Sequence, residues 1–232
     1  MKPAFLRFLL IFVCGFLAQI AKAQKIRVAI QHTFGNELMV LGEEGFRSET
    51  DTTLKISELK YYISNVSFYK KGTCIFAEPN SYRLLDVATC NPCTLEVASP
   101  KKIKYDEMRF TLGIDSATNV SGAMGGDLDP TKGMYWTWQS GYINLKMEGK
   151  TKDNNKQSKE FQLHLGGYAS PFLAAQSVRF QWKNNQEIPL IFDVKNIVEA
   201  MNSNSTWHIM SPNAKAVVFS KIAAESFKLG IK

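Results

Sequence analysis

The stretch Gly126-Asp127-Leu128-Asp129-Pro130-Thr131-Lys132-Gly133-Met134-Tyr135-Trp136-Thr137-Trp138-Gln139-Ser140-Gly141-Tyr142 holds two of the four tryptophans in the chain. Its first half is turn chemistry: glycine, aspartate and proline each favour a reversal for a different steric or hydrogen-bonding reason. Its second half packs aromatics and runs into Tyr142-Ile143-Asn144-Leu145-Lys146-Met147, which has the composition of a strand. Turn, aromatics and strand in that order predict a loop anchored on a β-sheet. In a regular strand Trp136 and Trp138 share one face, with Tyr135 opposite. Buried, the two indoles would pin the loop; exposed, they would offer a surface for stacking on a sugar ring or a site of oxidation.

Strand patterns continue on both sides of this stretch. Lys25 to His32 alternates, placing Ile26, Val28, Ile30 and His32 on one face. Phe34 to Gly45 reads as a loop or hairpin around Leu38 to Leu41. Leu59 to Tyr69 is rich in β-branched and aromatic residues, which favours strand over helix. Short strands are predicted at Thr73–Phe76 and Tyr82–Val87, and a stronger one at Tyr105–Ile114. Lys159 to Gly166 alternates again, with Phe161, Leu163 and Leu165 on one face and Gln162 and His164 on the other. Ser177–Trp182 and Ile188–Val194 are expected to pair as a hairpin around Asn184-Asn185-Gln186. Helical spacing is found near Asn196–Met201 and Ala214–Phe227, with a closing strand after it. The prediction is a mostly β chain: one antiparallel β-sandwich with long loops and one or two short helices.

Residues 1–23 are set apart as a secretory signal peptide. Lys2 and Arg7 open it, Phe8 to Leu17 forms a short apolar core, and Ala21-Lys22-Ala23 is a small-residue cleavage site. Residues 24–232 then form one domain. Lys2, Arg7 and Lys22 account for three of the formal charges of +7, leaving +4 on that domain. No later apolar run is long enough to span a membrane. The basic residues are scattered rather than interleaved with aromatics, which argues against a nucleic-acid partner.

Three cysteines remain after processing: Cys74, Cys90 and Cys93. Cys90-Asn91-Pro92-Cys93 is a single C-x-x-C pair, too few ligands for a closed zinc site, and its surroundings lack a thioredoxin-like strand-then-helix setting. A structural disulfide is expected, with Cys74 joined to one of the pair as one arrangement. Asp115, Asp127, Asp129 and Asn119 place oxygens on the long Asp115–Gly133 loop. Their spacing does not match an EF-hand, and carboxylates that shape turns are the commoner case.

The sequence holds three histidines. His32 sits on an apolar strand face, where a buried, hydrogen-bonded imidazole is the ordinary outcome. His164 lies on a polar strand face, and His208 follows Trp207 two residues before Met210. Imidazole and thioether together suit copper. No HExxH, GxSxG, P-loop or GxGxxG pattern is present, which places a binding protein ahead of an enzyme.

Leu128-Asp129-Pro130, Gly133-Met134-Tyr135-Trp136-Thr137-Trp138-Gln139-Ser140-Gly141-Tyr142-Ile143 and Glu148-Gly149 closely resemble the hallmark of the MbnP-like family. Leu59 to Val66, Phe110 to Asp115, Leu163-His164-Leu165-Gly166 and His208-Ile209-Met210 resemble its other segments, in the same order. The resemblance implies an exported bacterial protein, periplasmic or at the cell surface, that binds copper or a copper-chelating ligand related to methanobactin. It also implies that a tryptophan is oxidised to kynurenine by a diheme MauG-like peroxidase partner and joins histidines in holding copper. Carried onto this chain, Trp136 or Trp138 is the residue for modification and His164 the first ligand, with His208 and His32 behind it. The chain departs from that pattern in one respect. The run from Gly126 to Tyr142 has no histidine, whereas copper-binding members keep a ligand histidine close to the modified tryptophan. Copper binding is then lost, altered or built from distant histidines. The alternative function is a non-metal binding or adhesion module using the aromatic loop.

Overall fold

The computed structural model describes residues 24–48, 53–100, 102–152, 157–183 and 186–230. The expected signal peptide and the centre of the expected Asn184–Gln186 turn lie outside these residues. The strands are β1 (Gln24–Phe34), β2 (Glu37–Leu38), β3 (Phe46–Arg47), β4 (Thr53–Lys70), β5 (Thr73–Ala77), β6 (Tyr82–Asp86), β7 (Cys93–Ser99), β8 (Glu107–Leu112), β9 (Tyr135–Trp136), β10 (Gly141–Lys152), β11 (Ser158–Gly166), β12 (Gln176–Gln181), β13 (Glu187–Asp193), β14 (His208–Ile209) and β15 (Phe227–Leu229). The helices are α1 (Ser116–Val120), α2 (Lys195–Ser203) and α3 (Ala214–Glu225).

Two curled sheets form a sandwich-like fold. The smaller runs β15-β13-β1-β2, with β7 on the other part of β1. The larger runs β12-β8-β4-β10-β11-β14, with β3, β5 and β6 along β4 and β9 on β10. Pairing is antiparallel except for β1 with β13 and β11 with β14. The main core lies between the sheets. Ile26, Val28 and Ile30 of β1 face Tyr61 and Ile63 of β4 and Leu163 and Leu165 of β11, all within one buried cluster.

Two sequence expectations are corrected. The segments expected to form one hairpin enter different sheets: β12 pairs with β8, while β13 lies between β1 and β15. Each strand finds more apolar surface to cover in a separate sheet than in a two-stranded ribbon, which is marginal alone. The long Asp115–Gly133 segment is not plain loop. Asp115 caps α1 by accepting from the Thr118 N–H, and Asp129 caps a 3-10 turn at Pro130–Lys132 by accepting from the Thr131 N–H.

This segment lies on the outer face of the larger sheet and builds a second buried cluster there, made of Tyr62, Ile114, Leu128, Met134, Trp136, Tyr142 and Ile143. Hydrogen bonds fix it to the sheet. Tyr62 donates to the Asp127 carbonyl at 2.9 Å, Tyr142 donates to the Leu128 carbonyl at 3.0 Å, and the Asn119 side chain accepts from the Tyr142 N–H at 2.8 Å. Neighbouring residues of β4 thus serve different cores: Tyr61 the inner, Tyr62 the outer.

Candidate functional site

The aromatic stretch ends as a short strand and a turn. Trp136 pairs with Gly141 and Tyr135 with Tyr142, and Ser140 takes a left-handed conformation (φ 50°) to close the reversal. The two tryptophans separate in role. Trp136 is 5 % exposed and Trp138 is 66 % exposed, their ring centroids 5.9 Å apart and tilted by 46°. Trp136 is a pin; Trp138 lies over it and faces solvent. The seat for Trp136 is Gly166 of β11. A Cβ there would come within 2.6 Å of the indole and 2.8 Å of the Tyr142 carbonyl, so only glycine admits so close an approach. The Trp136 Nε1 is buried without a hydrogen-bond partner, and so is Gln139 Oε1 in the same turn.

Gly166 leads to His164. Because Phe161, Leu163 and Leu165 point into the main core, His164 points outward on the same strand face as Gly166, next along from the tryptophan seat. His164 is 7 % exposed. Its Nε2 lies 2.6 Å from Oε1 of Glu148. Glu148 reaches it from the diagonal position on β10, since Lys146 pairs with His164 and Glu148 with Gln162, and beside it lies a bulge in the pairing with β4, between Glu148 and Gly149. Gly149 permits the bulge, since a Cβ would come within 2.2 Å of the Lys55 carbonyl.

Glu148 ends a row of alternating charge across the outer face. Asp86 meets Lys60 at 3.4 Å, Lys60 meets Glu58 at 3.1 Å, Glu58 meets Lys146 at 2.9 Å, and Lys146 meets Glu148 at 3.4 Å. Burial pushes the Glu58 carboxyl up, but hydrogen bonds from Lys146 and Lys60 together outweigh it and hold it below the usual value. Burial dominates at His164 and lowers its pKa, against the raising effect of Glu148. The imidazole is therefore neutral at neutral pH. Its carboxylate partner can only accept, so Nε2 carries the proton and Nδ1 keeps the lone pair.

The three histidines do not converge. His208 pairs in register with Gln162, two positions back from His164 on the adjacent strand. It shares the outer face with His164, about 8 Å away at the Cα level from sheet spacing and rise, and is exposed. Met210, 43 % exposed, follows directly after β14. His32 is excluded from this group, because the backbone of the larger sheet stands between them. It is 0 % exposed inside the main core, with Nε2 2.9 Å from the Tyr61 hydroxyl and Nδ1 3.3 Å from Asn91 Oδ1. Asn91 Oδ1 also accepts from the His32 backbone N–H, and its amide donates to the Met39 carbonyl. Nδ1 is thus the donor, and the Nε2 lone pair is occupied by Tyr61.

Asn91 belongs to the C-x-x-C loop. Its cysteines bond to each other, Cys90 to Cys93, and Cys74 is a free, exposed thiol. The bridge from Cys74 does not form, because Cys74 lies on β5 along β4 while Cys93 pairs with Ile30 on β1 of the other sheet. The aspartates of the long loop serve turns. Asp127 binds Lys132 and the Leu84 N–H, and Asp115 binds Thr118 and Tyr82.

Among the described residues, no group of three or more His, Cys, Asp or Glu is gathered to hold a metal ion. The donors fit copper in part: one neutral imidazole, oriented by a carboxylate as metal-ligating histidines usually are, with an imidazole on the neighbouring strand and a thioether just after it. Glu148 is the site residue that sequence reading missed. Its only local signal is the outward position of Lys146 and Glu148 on either side of the buried Met147.

Fold and site define a class: a two-sheet β protein with an aromatic-capped outer face and one oriented histidine beside the cap. The chain belongs to the MbnP family, whose family model matches residues 23–215. Among solved structures, MbnP from Methylosinus trichosporium is similar in fold, with a TM-score of 0.57 at 15 % sequence identity, covering 77 % of this chain and 78 % of that one. No curated protein matches the sequence. No helix among the described residues is long and apolar enough to cross a membrane.

Proposed function

We propose that this is an exported, envelope-located binding protein for copper carried in a small chelating ligand, without catalysis of its own. The observation that supports this reading is His164: a buried, neutral imidazole, oriented by Glu148 at 2.6 Å, on the face that seats Trp136. A chelate brings most of its own donors. It asks the protein for one imidazole nitrogen, which His164 offers, and an apolar surface, which the exposed Trp138 over Trp136 offers. Copper supplies a soft Lewis acid with high affinity for imidazole nitrogen. His208 on the same face, and Met210 after it, are the further candidate donors. Trp138 is the indole accessible to an oxidising partner of the diheme type, and Trp136 lies directly beneath it.

Competition titration against a chromophoric Cu(I) chelator tests the reading, run with free Cu(I) and with a preformed copper chelate. His164→Ala should weaken binding by at least the about 10–100-fold that removing a partner which merely orients such a ligand costs. His32→Gln should leave binding unchanged. Equal affinity for wild type and His164→Ala would sink the proposal.

A further inference from the structure

The C-x-x-C lies where the chain changes sheets. β6 belongs to the larger sheet and β7 to the smaller, and residues 87–92 carry the chain between them. The two bonded sulfurs are unequal. Cys93 opens β7 opposite Ile30 and is 0 % exposed, while Cys90 is only partly buried in the connecting loop.

Each sulfur also has a backbone carbonyl beside it. Cys93 Sγ is 2.9 Å from the Cys90 carbonyl oxygen, and Cys90 Sγ is 3.4 Å from that of Asp86. A disulfide sulfur has no hydrogen to donate, so the closed bridge uses neither oxygen as an acceptor. Two thiols would each find an acceptor in place. The cysteines are three positions apart, and so small a ring adds little loop-closure entropy. Opening it therefore costs the fold little and leaves no buried donor unpaired.

We propose that Cys90–Cys93 is an exchangeable disulfide, opened from the Cys90 side by a dithiol reductant, and that its state sets how firmly Asn91 holds β1. A thiolate of the reductant attacks Cys90 Sγ. The S–S bond breaks, its electron pair leaves on Cys93 Sγ, and that sulfur takes a proton from water. The second thiolate of the reductant then attacks the reductant's own sulfur in the mixed disulfide, and Cys90 leaves and is protonated in turn. The protein gains two electrons and two protons, and the dithiol departs as a disulfide. A monothiol stalls at the mixed disulfide, from which the nearby Cys93 thiolate expels it. The pair opens a strand rather than a helix, so it lacks the helix N-terminus that activates an attacking thiol. The bridge responds to reductant and does not catalyse exchange in other proteins.

Asn91 reads the state. Its Oδ1 accepts from the His32 N–H at 3.0 Å, and its amide donates to the Met39 carbonyl at 2.8 Å. The bridge holds the Cα atoms on either side of it 4.8 Å apart. With the bond open, only its own hydrogen bonds keep Asn91 on β1. The inference does not depend on copper.

The test uses the intact chain with Cys74→Ser, so that only the loop thiols are counted. Folded protein is treated with reduced dithiothreitol without denaturant, and the thiols are trapped with a maleimide and weighed. Two labels should appear at least about 100-fold faster than the chain unfolds in water. Glutathione at the same thiol concentration should leave the bridge closed. With Cys93→Ser added, the Cys90 thiol should react with an aromatic disulfide reagent about tenfold faster than the Cys93 thiol does with Cys90→Ser added. Hydrogen exchange at the His32 amide should quicken about tenfold or more on reduction, and should be fast in both states in Asn91→Ala. Labels that appear only at the unfolding rate overturn the proposal. So do opening by glutathione as fast as by dithiothreitol, equal reactivity of the two thiols, or a His32 amide indifferent to reduction.

Discussion

Glu148 Oε1 lies 2.6 Å from Nε2 of His164, diagonally across the paired strands β10 and β11. The contact decides which nitrogen of His164 is open to a ligand. Glu148→Gln can still place an oxygen near Nε2 but removes the charge; Glu148→Ala removes the acceptor. Copper affinity should fall by about tenfold for Gln and by up to about 100-fold for Ala, the range for partners that orient a ligating histidine. Long-range nitrogen–proton NMR on the metal-free protein should show the Nε2–H form in wild type and a mixture of tautomers in Glu148→Ala.

His32 makes folding stability depend on pH. Burial lowers its pKa from 6.5 to about 4, with the Asn91 hydrogen bond opposing in part. The unfolded chain therefore binds a proton between those values that the folded chain does not. Stability is full above about pH 6.5 and falls as pH drops toward about 4, by on the order of 3 kcal/mol if His32 acts alone. The lowered His164 pKa adds in the same direction. Urea unfolding across this range should show the decline, and His32→Gln should flatten it.

The Cys90–Cys93 bridge holds the loop from which Asn91 reaches His32. A ring this small yields little loop-closure entropy, so its main effect is to position Asn91. Asn91→Ala should cost about 1–3 kcal/mol, the scale of leaving buried polar groups unpaired. Adding Cys90→Ala and Cys93→Ala to Asn91→Ala should then cost much less than the cysteine changes cost alone. Additive losses in a double-mutant cycle would show that the bridge and the asparagine act separately.

Gly166→Ala should displace Trp136. Its new methyl would meet the indole and the Tyr142 carbonyl well inside contact distance, and overpacking of this kind costs about 1–3 kcal/mol. Tryptophan emission should shift to the red and become easier to quench with acrylamide. Far-ultraviolet circular dichroism should stay close to wild type, because the main core is not touched.

Much of the sandwich could be read from the sequence because its signals are local. Ile26, Val28 and Ile30 alternate, as do Phe161, Leu163 and Leu165, and both sets lie in the main core. Ala216, Phe219 and Ala223 repeat at helical spacing, and all three are buried on α3. What could not be read depends on contacts between distant residues. Nothing near Gln176 states that β12 will pair with β8, and nothing near Cys90 states that Cys74 lies beyond its reach. The site divides along the same line. His164 stands out by its polar strand face. The placing of His32 on the other side of a sheet, the meeting of Glu148 with His164 and the unequal burial of Trp136 and Trp138 all follow from register and layer order.

Tyr61 and Tyr62 are adjacent in sequence and face opposite sides of one sheet, each in its own buried cluster. The outer cluster is small and held largely by a handful of side chain-to-backbone bonds. It is therefore able to lift as a separate cooperative unit while the sandwich beneath remains folded. Access to Trp136 then has a free energy of its own, lower than that of global unfolding. Amides of residues 134–136 should exchange with deuterium by that cheaper opening, and those of Tyr61 and Leu163 only when the whole molecule unfolds.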